Sequence, residues 1–271
     1  MVDRVAGLHS IVCLKVVPKS EEVSINPDTR TLDRSKARSE INGPDLNALE
    51  TALALKEAHG GRVSLLSMGP PLFEGYLRLG LSLGADAAYL MSDRAFGGAD
   101  TLATSYALAA GIRAIGDFDL VLCGEESSDG ATGQVPPGIA EWLGVCQITY
   151  ATRLQLLSRK RAVRGRRELR GGFEVLEAPL PCVVSVKIGA NEPRFPDFGR
   201  WEWAMREAPL TVWTAADLCL EEGALGLAGS ATTVATVDVA ASAERRREFL
   251  GGSPAEEVEQ LLQRIKQWIA V

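Results

Sequence analysis

The sequence predicts an α/β fold: a doubly wound, mostly parallel sheet with helices on both faces, a small antiparallel region and a C-terminal arm. Three observations predict it. Through the first two-thirds of the 271 residues, apolar runs alternate with longer helical patterns, the rhythm of successive βαβ units. The strand-like runs are nearly continuous in apolar residues, as strands covered on both faces should be. From about residue 150 the pattern changes to extended segments joined at charged turns, which reads as antiparallel.

In order, strand one is IVCLKVV (11–17), and NPDTRTLDR (26–34) suits a small turn or hairpin. INGPDLNALETALALKEAHGG is a loop into a helix, with apolar spacing at Leu46, Leu49, Ala52, Leu53 and Leu55 and a stop at Gly60-Gly61. Strand two, RVSLLSM (62–68), halts at Gly69-Pro70-Pro71. A helix over 72–83 leads to strand three, AAYLMS, and a helix over 100–115 leads to a fourth strand at 119–123. Residues 152–188 read as the antiparallel strands. Their basic run, 158–170, is either a solvated hairpin face or a contact for phosphate or an acidic partner. NEPRFPDFGRWEWAM, from Asn191, has neither helical nor strand periodicity. The chain closes on an amphipathic helix, SPAEEVEQLLQRIKQWIAV. Ser253 is its N-cap, Glu256 takes the capping-box position, and Val258, Leu261, Leu262, Ile265 and Ile269 share one face. That face requires either its own domain or a partner subunit to pack on.

Composition narrows the function. A hydrophobic content of 46% suffices for a buried core, while a formal charge of −6 argues against a nucleic-acid binder working by bulk charge. No apolar run reaches the roughly 18 residues a membrane span needs. The opening MVDRVAGLHSIVCLKVV carries an early acidic residue and runs straight into a strand, so it does not read as a secretory signal. Five scattered cysteines without a CxxC read as reduced, mostly buried thiols of a cytoplasmic protein. His9 falls in the leader before strand one and His59 at a helix end, neither with a triad or metal partner at useful spacing. No catalytic acid–base group and no metal site are expected.

The most informative segment is DLVLCGEESSDGATGQVPPGIAEWL, from Asp119. A buried strand ends at Cys123, a loop of small and polar residues follows, and a helix opens near Gln134 with Pro136 and Pro137 in its first turn. Strand, small-residue loop and helix N-terminus let backbone N–H groups approach a phosphate or diphosphate. Glu126, Asp129, Thr132 and Gln134 add side chains able to hold a sugar or an adenine edge. An ordinary strand-to-helix connection would show the same pattern.

Several segments in the same order resemble one family, the β subunit of electron transfer flavoproteins. They include IVCLKVVPKSEEVSINPDTRTLDR, the NGPD loop, SMGPP after strand two, DTLATSYALA, GEESSDGATGQVPPGIAEWLG, QITYATRL and PCVVSVKIGANEPRF. The resemblance covers nearly the whole chain and is closest to the nitrogen-fixation and electron-bifurcating branch. It implies a heterodimer with an FAD-bearing α subunit, and an adenine-nucleotide site in this chain holding FAD, or AMP as in simple electron carriers. Carried over by position, that site is Cys13, Asn42, Gly43, Pro44, Asp45 and Met68 with the loop Gly124, Glu125, Glu126, Ser127, Ser128, Asp129, Gly130, Ala131, Thr132, Gly133, Gln134 and Val135. Partner recognition is implied at Asn191, Glu192, Pro193 and Arg194, with Phe198 where an apolar anchor is expected. The implied redox partners are an acyl-CoA-type or other dehydrogenase, a quinone oxidoreductase or ferredoxin. The organisation is then a nucleotide-binding α/β domain over 1–190, a partner-recognition loop and linker over 191–228, and an arm over 229–271.

The chain departs from the family pattern. Bifurcating-type loops read GxQAIDGDTAQVGP, whereas here Ala131 replaces a carboxylate, Pro136 a glycine, and 125–128 are altered. Thr132, Gln134 and Val135 keep the TxQV pattern. A small Gly133 leaves room beside a diphosphate, and an apolar Val135 forgoes a hydroxyl that could bond a terminal monophosphate; both favour FAD over AMP. Two rivals remain open. One is a stand-alone adenine-nucleotide-binding or ATP-hydrolysing module, which the lack of GxxxxGK[ST] disfavours. The other is a partner-binding subunit with a vestigial pocket.

Overall fold

A computed structural model describes residues 7–19, 24–26, 31–33, 38–233 and 247–269. The chain divides into two compact units, 1–237 and 238–271.

The first unit opens with β1 (Leu8–Cys13), β2 (Val16–Pro18), β3 (Ser24–Asn26), β4 (Thr31–Asp33) and β5 (Ser39–Ile41). Then come α1 (Gly43–His59), β6 (Gly61–Met68), α2 (Glu74–Leu83), β7 (Ala87–Met91), α3 (Thr101–Ile115), β8 (Leu120–Gly124) and α4 (Val135–Leu143). It ends with β9 (Cys146–Leu157), β10 (Ala162–Leu169), β11 (Gly172–Pro179), β12 (Cys182–Val186), α5 (Phe198–Arg206) and β13 (Leu210–Trp213). The second unit holds α6 (Pro254–Ile269), where the Glu256 carboxylate accepts from both the Ser253 N–H (2.8 Å) and its hydroxyl (2.9 Å).

Nine strands form one sheet in the order β11-β10-β9-β12-β8-β1-β6-β7-β13. All neighbours from β9 to β13 in this order run parallel, and in this sheet only β10 is reversed, pairing antiparallel with both β9 and β11. Alternate residues feed opposite faces. Val12, Leu65 and Leu122 join the layer of α1 and α2, while Ile11, Leu66 and Val121 join that of α3 and α4. Both faces are covered, so the strands read as unbroken apolar runs. Fully buried Ile11, Leu49, Leu65, Leu77 and Leu81 each contribute about 1.5–3 kcal/mol relative to exposure.

Four sequence readings are corrected. The stretch 11–17 is two strands, because at Lys15 the backbone N–H leaves the ladder for the Asp45 carboxylate (2.7 Å). His9 lies inside β1 rather than in a leader, since Leu8 already pairs with Gly61. Its Nε2 meets Ser64 Oγ at 2.9 Å, and burial lowers its pKa. Of the segment read as antiparallel, β12 instead runs parallel between β8 and β9. Finally, 191–205 contains a helix, α5, capped by Asp197, whose carboxylate accepts from the Arg200 N–H at 2.9 Å. Its one fully buried residue is Ala204, so its periodicity is nearly silent. It is held through polar contacts instead: Arg200 Nη2 donates to Ala85 O (2.6 Å) and Arg78 Nη1 to Ala204 O (2.8 Å). The basic hairpin pairs its charges internally, Arg164 with Glu177 and Arg167 with Glu174. The expected hairpin at 26–34 has its strands in β3 and β4, and its turn lies outside the described residues.

Candidate functional site

The chain leaves β1 towards β6 on one side and later returns to place β8 on the other, so the strand order reverses between β1 and β8. At such a switch point the connections leaving the carboxyl ends diverge and open a crevice, where ligands of doubly wound sheets bind. Residues 14–15 leave β1 there, 125–134 leave β8, and α1 starts between them.

The start of α1 braces both loops. Asn42 occupies the N-cap position, yet its side chain makes no cap bond. Instead Asn42 Oδ1 accepts from the Ser128 N–H (3.1 Å) and Nδ2 donates to Glu126 O (2.9 Å). Asp45, in the first turn, accepts from the Gly124 N–H at Oδ1 (2.9 Å) and from the Lys15 N–H at Oδ2 (2.7 Å). A Cβ on Gly124 would lie 2.4 Å from Asp45 Oδ1 and 2.6 Å from Pro44 Cβ, so only glycine admits this brace. Burial pushes the Asp45 carboxyl up to about 6, against the opposing pull of the two N–H donors.

The loop itself folds on its own backbone. Ala131 N–H donates to Ser127 O at 2.7 Å, Ala131 has φ +46° and Gly133 φ +63°. Glu125 ties the loop inward, its N–H donating to Val186 O and its Oε1 accepting from the Ile188 N–H, both at 2.9 Å. Lys15 Nζ donates to Asp129 Oδ1 (2.6 Å) and Ser127 Oγ (3.1 Å), and the Thr101 hydroxyl donates to Gln134 Oε1 (2.9 Å). Pro136 and Pro137 remove two donors from the first turn of α4. The N–H groups of Thr132, Gly133 and Val135 have no partner among the described residues, leaving three donors at the rim beside the Thr132 hydroxyl.

The remaining expected residues lie around this brace. Cys13 ends β1 and Cys123 lies one residue before the end of neighbouring β8, both buried on the α3/α4 side; their mutual hydrogen bond and burial raise the Cys123 pKa. Met68 packs half-buried on the same layer, Gly43 faces Ile188, and Gly130 stands exposed at the loop tip. Three further residues belong here that sequence reasoning left out. Lys15 was hidden inside the run read as strand one, where only its charge among apolar residues marked it, and Thr101 was signalled by opening a helix. Tyr150, within QITY, has its hydroxyl 2.7 Å from where a Gly133 Cβ would be. The space read as room beside Gly133 is therefore filled by that hydroxyl.

The NEPR segment is bolted to α1. Asn191 Nδ2 donates to Asn47 O (3.0 Å) and Thr51 Oγ1 (2.9 Å). Arg194 forms a fork on Glu50 (2.8 Å at both Nε and Nη2) and pairs with Glu57. Glu192 and Pro193 stand exposed beside them, and Phe195 (93%) and Phe198 (91%) are almost wholly exposed. At the amino-terminal ends of the central strands β1, β6 and β8, a cavity of about 990 Å³ is lined by His9, Arg62, Arg113 and Asp119. No helix among the described residues is long and apolar enough to cross a membrane.

The model of the electron transfer flavoprotein domain matches residues 29–218. The chain is 43% identical over 249 residues to Protein FixA of Azotobacter vinelandii, covering 90% of this chain and 88% of that one. It is 39% identical over 258 residues to the electron transfer flavoprotein subunit beta of Thermoanaerobacterium thermosaccharolyticum, covering 95% and 98%. Against the caffeyl-CoA reductase-Etf complex subunit CarD of Acetobacterium woodii, identity is 42% over 228 residues, covering 84% and 86%. With the parallel sheet and its braced switch-point loop, these matches lead to one conclusion: the chain belongs to the electron transfer flavoprotein β-subunit family.

Proposed function

We infer that this chain holds FAD at the switch point and, joined to an FAD-bearing α subunit, carries electrons between cytoplasmic redox partners. The observation that carries the reading is the loop after β8, which Asn42 and Asp45 hold so that three N–H groups stay free at its rim. These donors suit a diphosphate, and membership of a family of electron carriers supplies the redox context. A bound flavin supplies one- and two-electron transfer; the chain's own groups bind and orient it. Thr132, Gly133 and Val135 would hold phosphate oxygens, while Lys15 keeps the Asp129 side of the loop in place. The likeness to FixA and CarD supports the bifurcating variant, in which electrons arrive from NADH as hydride and divide between a high- and a low-potential acceptor. An acyl-CoA-type or other dehydrogenase, a quinone oxidoreductase or ferredoxin would be those partners. Phe195 and Phe198 offer an exposed apolar contact for one of them.

Mass spectrometry of ligands released by acid from the purified heterodimer tests this. Two flavins per dimer is the expected result. One flavin with an equal amount of AMP would make the chain a simple carrier's β subunit. One flavin with no second nucleotide would make the pocket vestigial.

A further inference from the structure

The geometry points to Tyr150 as a ligand-contacting residue whose hydroxyl donates a hydrogen bond to the phosphate group held by the 125–134 loop. This rests on the nucleotide reading above. Tyr150 sits in β9 with φ +57°, a left-handed conformation that a bulky residue rarely adopts. The cause is a β-bulge. Against β12, Val184 pairs with Ile148 and Val186 with Ala151, so Thr149 and Tyr150 together face the single residue Ser185. The bulge takes the Tyr150 N–H out of the ladder, and the buried Ser185 hydroxyl accepts it at 3.0 Å. Bulges re-aim side chains, and here the phenol is turned onto the phosphate loop.

The tip of that side chain has a definite address. A Cβ on Gly133 would lie 2.7 Å from the Tyr150 hydroxyl oxygen and 3.7 Å from Cζ. The hydroxyl makes no hydrogen bond with any described residue, although it could donate one. It is therefore a free donor beside the free N–H groups of Thr132 and Gly133. Its position also explains glycine at 133: a side chain there would meet the phenol oxygen, and φ +63° adds strain for any other residue. A left-handed tyrosine whose backbone N–H is taken up by a buried serine is difficult to account for as packing alone, and at 36% exposure its hydroxyl is open to a ligand.

The test titrates ADP and adenosine into the full chain, purified with its α subunit and freed of bound nucleotide. Tyr150→Phe should weaken ADP about tenfold or more while leaving adenosine unchanged, since only ADP presents the charged acceptor. Equal ADP affinity in Tyr150→Phe and the parent would overturn the proposal. So would a parallel loss of ADP and adenosine, which would make Tyr150 a prop for the loop. A double-mutant cycle checks the geometry. Gly133→Ala should lose ADP binding, and Tyr150→Phe should recover part of it by removing the oxygen that its Cβ meets. Gln134→Ala and Gly130→Val separate the two ideas. If both bind ADP like the parent, the site reading itself fails; if they lose it while Tyr150→Phe does not, only the role of Tyr150 fails.

Discussion

At the scale of single residues, Asp45 is the group on which the two loops depend. Its carboxyl group accepts from the backbone N–H groups of Gly124 and Lys15 at its two oxygens, so an amide, with one acceptor oxygen, does not reproduce it. Asn in its place would turn an amide donor towards one of those N–H groups and should destabilise by about 1–3 kcal/mol. The raised pKa adds a pH signature. A carboxyl at about 6 in the folded chain and 3.8 when unfolded binds its proton more tightly in the fold. Its stabilising contribution is then complete below pH 3.8 and lost as pH rises through 6. Chemical denaturation of the parent and Asp45→Asn should show the parent's advantage growing by about 1.4 kcal/mol from pH 7.5 to pH 5. A gap that does not move with pH would contradict the assignment. Gly124→Ala tests the same brace sterically, since its Cβ would enter the space of Asp45 Oδ1 and Pro44. It should cost roughly 1–3 kcal/mol and shed nucleotide from the purified complex.

At the scale of elements, the Arg194 fork decides where the segment after β12 runs. Glu50 and Glu57 lie on α1, so one guanidinium fixes 191–197 against a helix and presents Phe195 and Phe198 outward. The pair with Glu50 is bidentate and partly shielded, which places it above an ordinary surface bridge. Arg194→Ala should free the segment without unfolding the sheet. Limited proteolysis should then cut within 191–206 several-fold faster, while far-ultraviolet circular dichroism stays unchanged. Unchanged cleavage would show that α5 and its contacts to α2 hold the segment alone.

At the scale of the whole molecule, the amphipathic α6 belongs to a separate unit, with Val258, Leu261, Leu262, Ile265 and Ile269 at helical spacing on one side. Truncation before Ser253 should leave the first unit's cooperative melting intact and weaken co-purification with the α subunit at least tenfold. Normal pairing by the truncated chain would show that the helix does not serve the heterodimer.

Much of the fold was legible because the signals are local. The strands of the parallel sheet are covered on both faces, so each is an apolar run. The α1 helix announced itself through Leu49, Ala52 and Leu53, and the switch-point loop through small residues closing on a proline-led helix. The parts that were not legible are those whose conformation is imposed from a distance. That β12 lies between β8 and β9, running parallel, depends on partners 35 to 62 residues away, not on CVVSV itself. Four-residue β13 exists because β7 offers an edge, with Trp213 stacked 4.8 Å from Tyr89. The helical run of α5 is set by an aspartate cap and arginine contacts rather than by an apolar stripe. Sequence alone pointed to the family and singled out the loop and the NGPD turn as a candidate site. Only tertiary structure decided that Asn42 and Asp45 spend their polar atoms bracing backbone. It also decided that a bulged Tyr150 reaches Gly133, because hydrogen bonds between distant segments leave no periodicity in the chain that forms them.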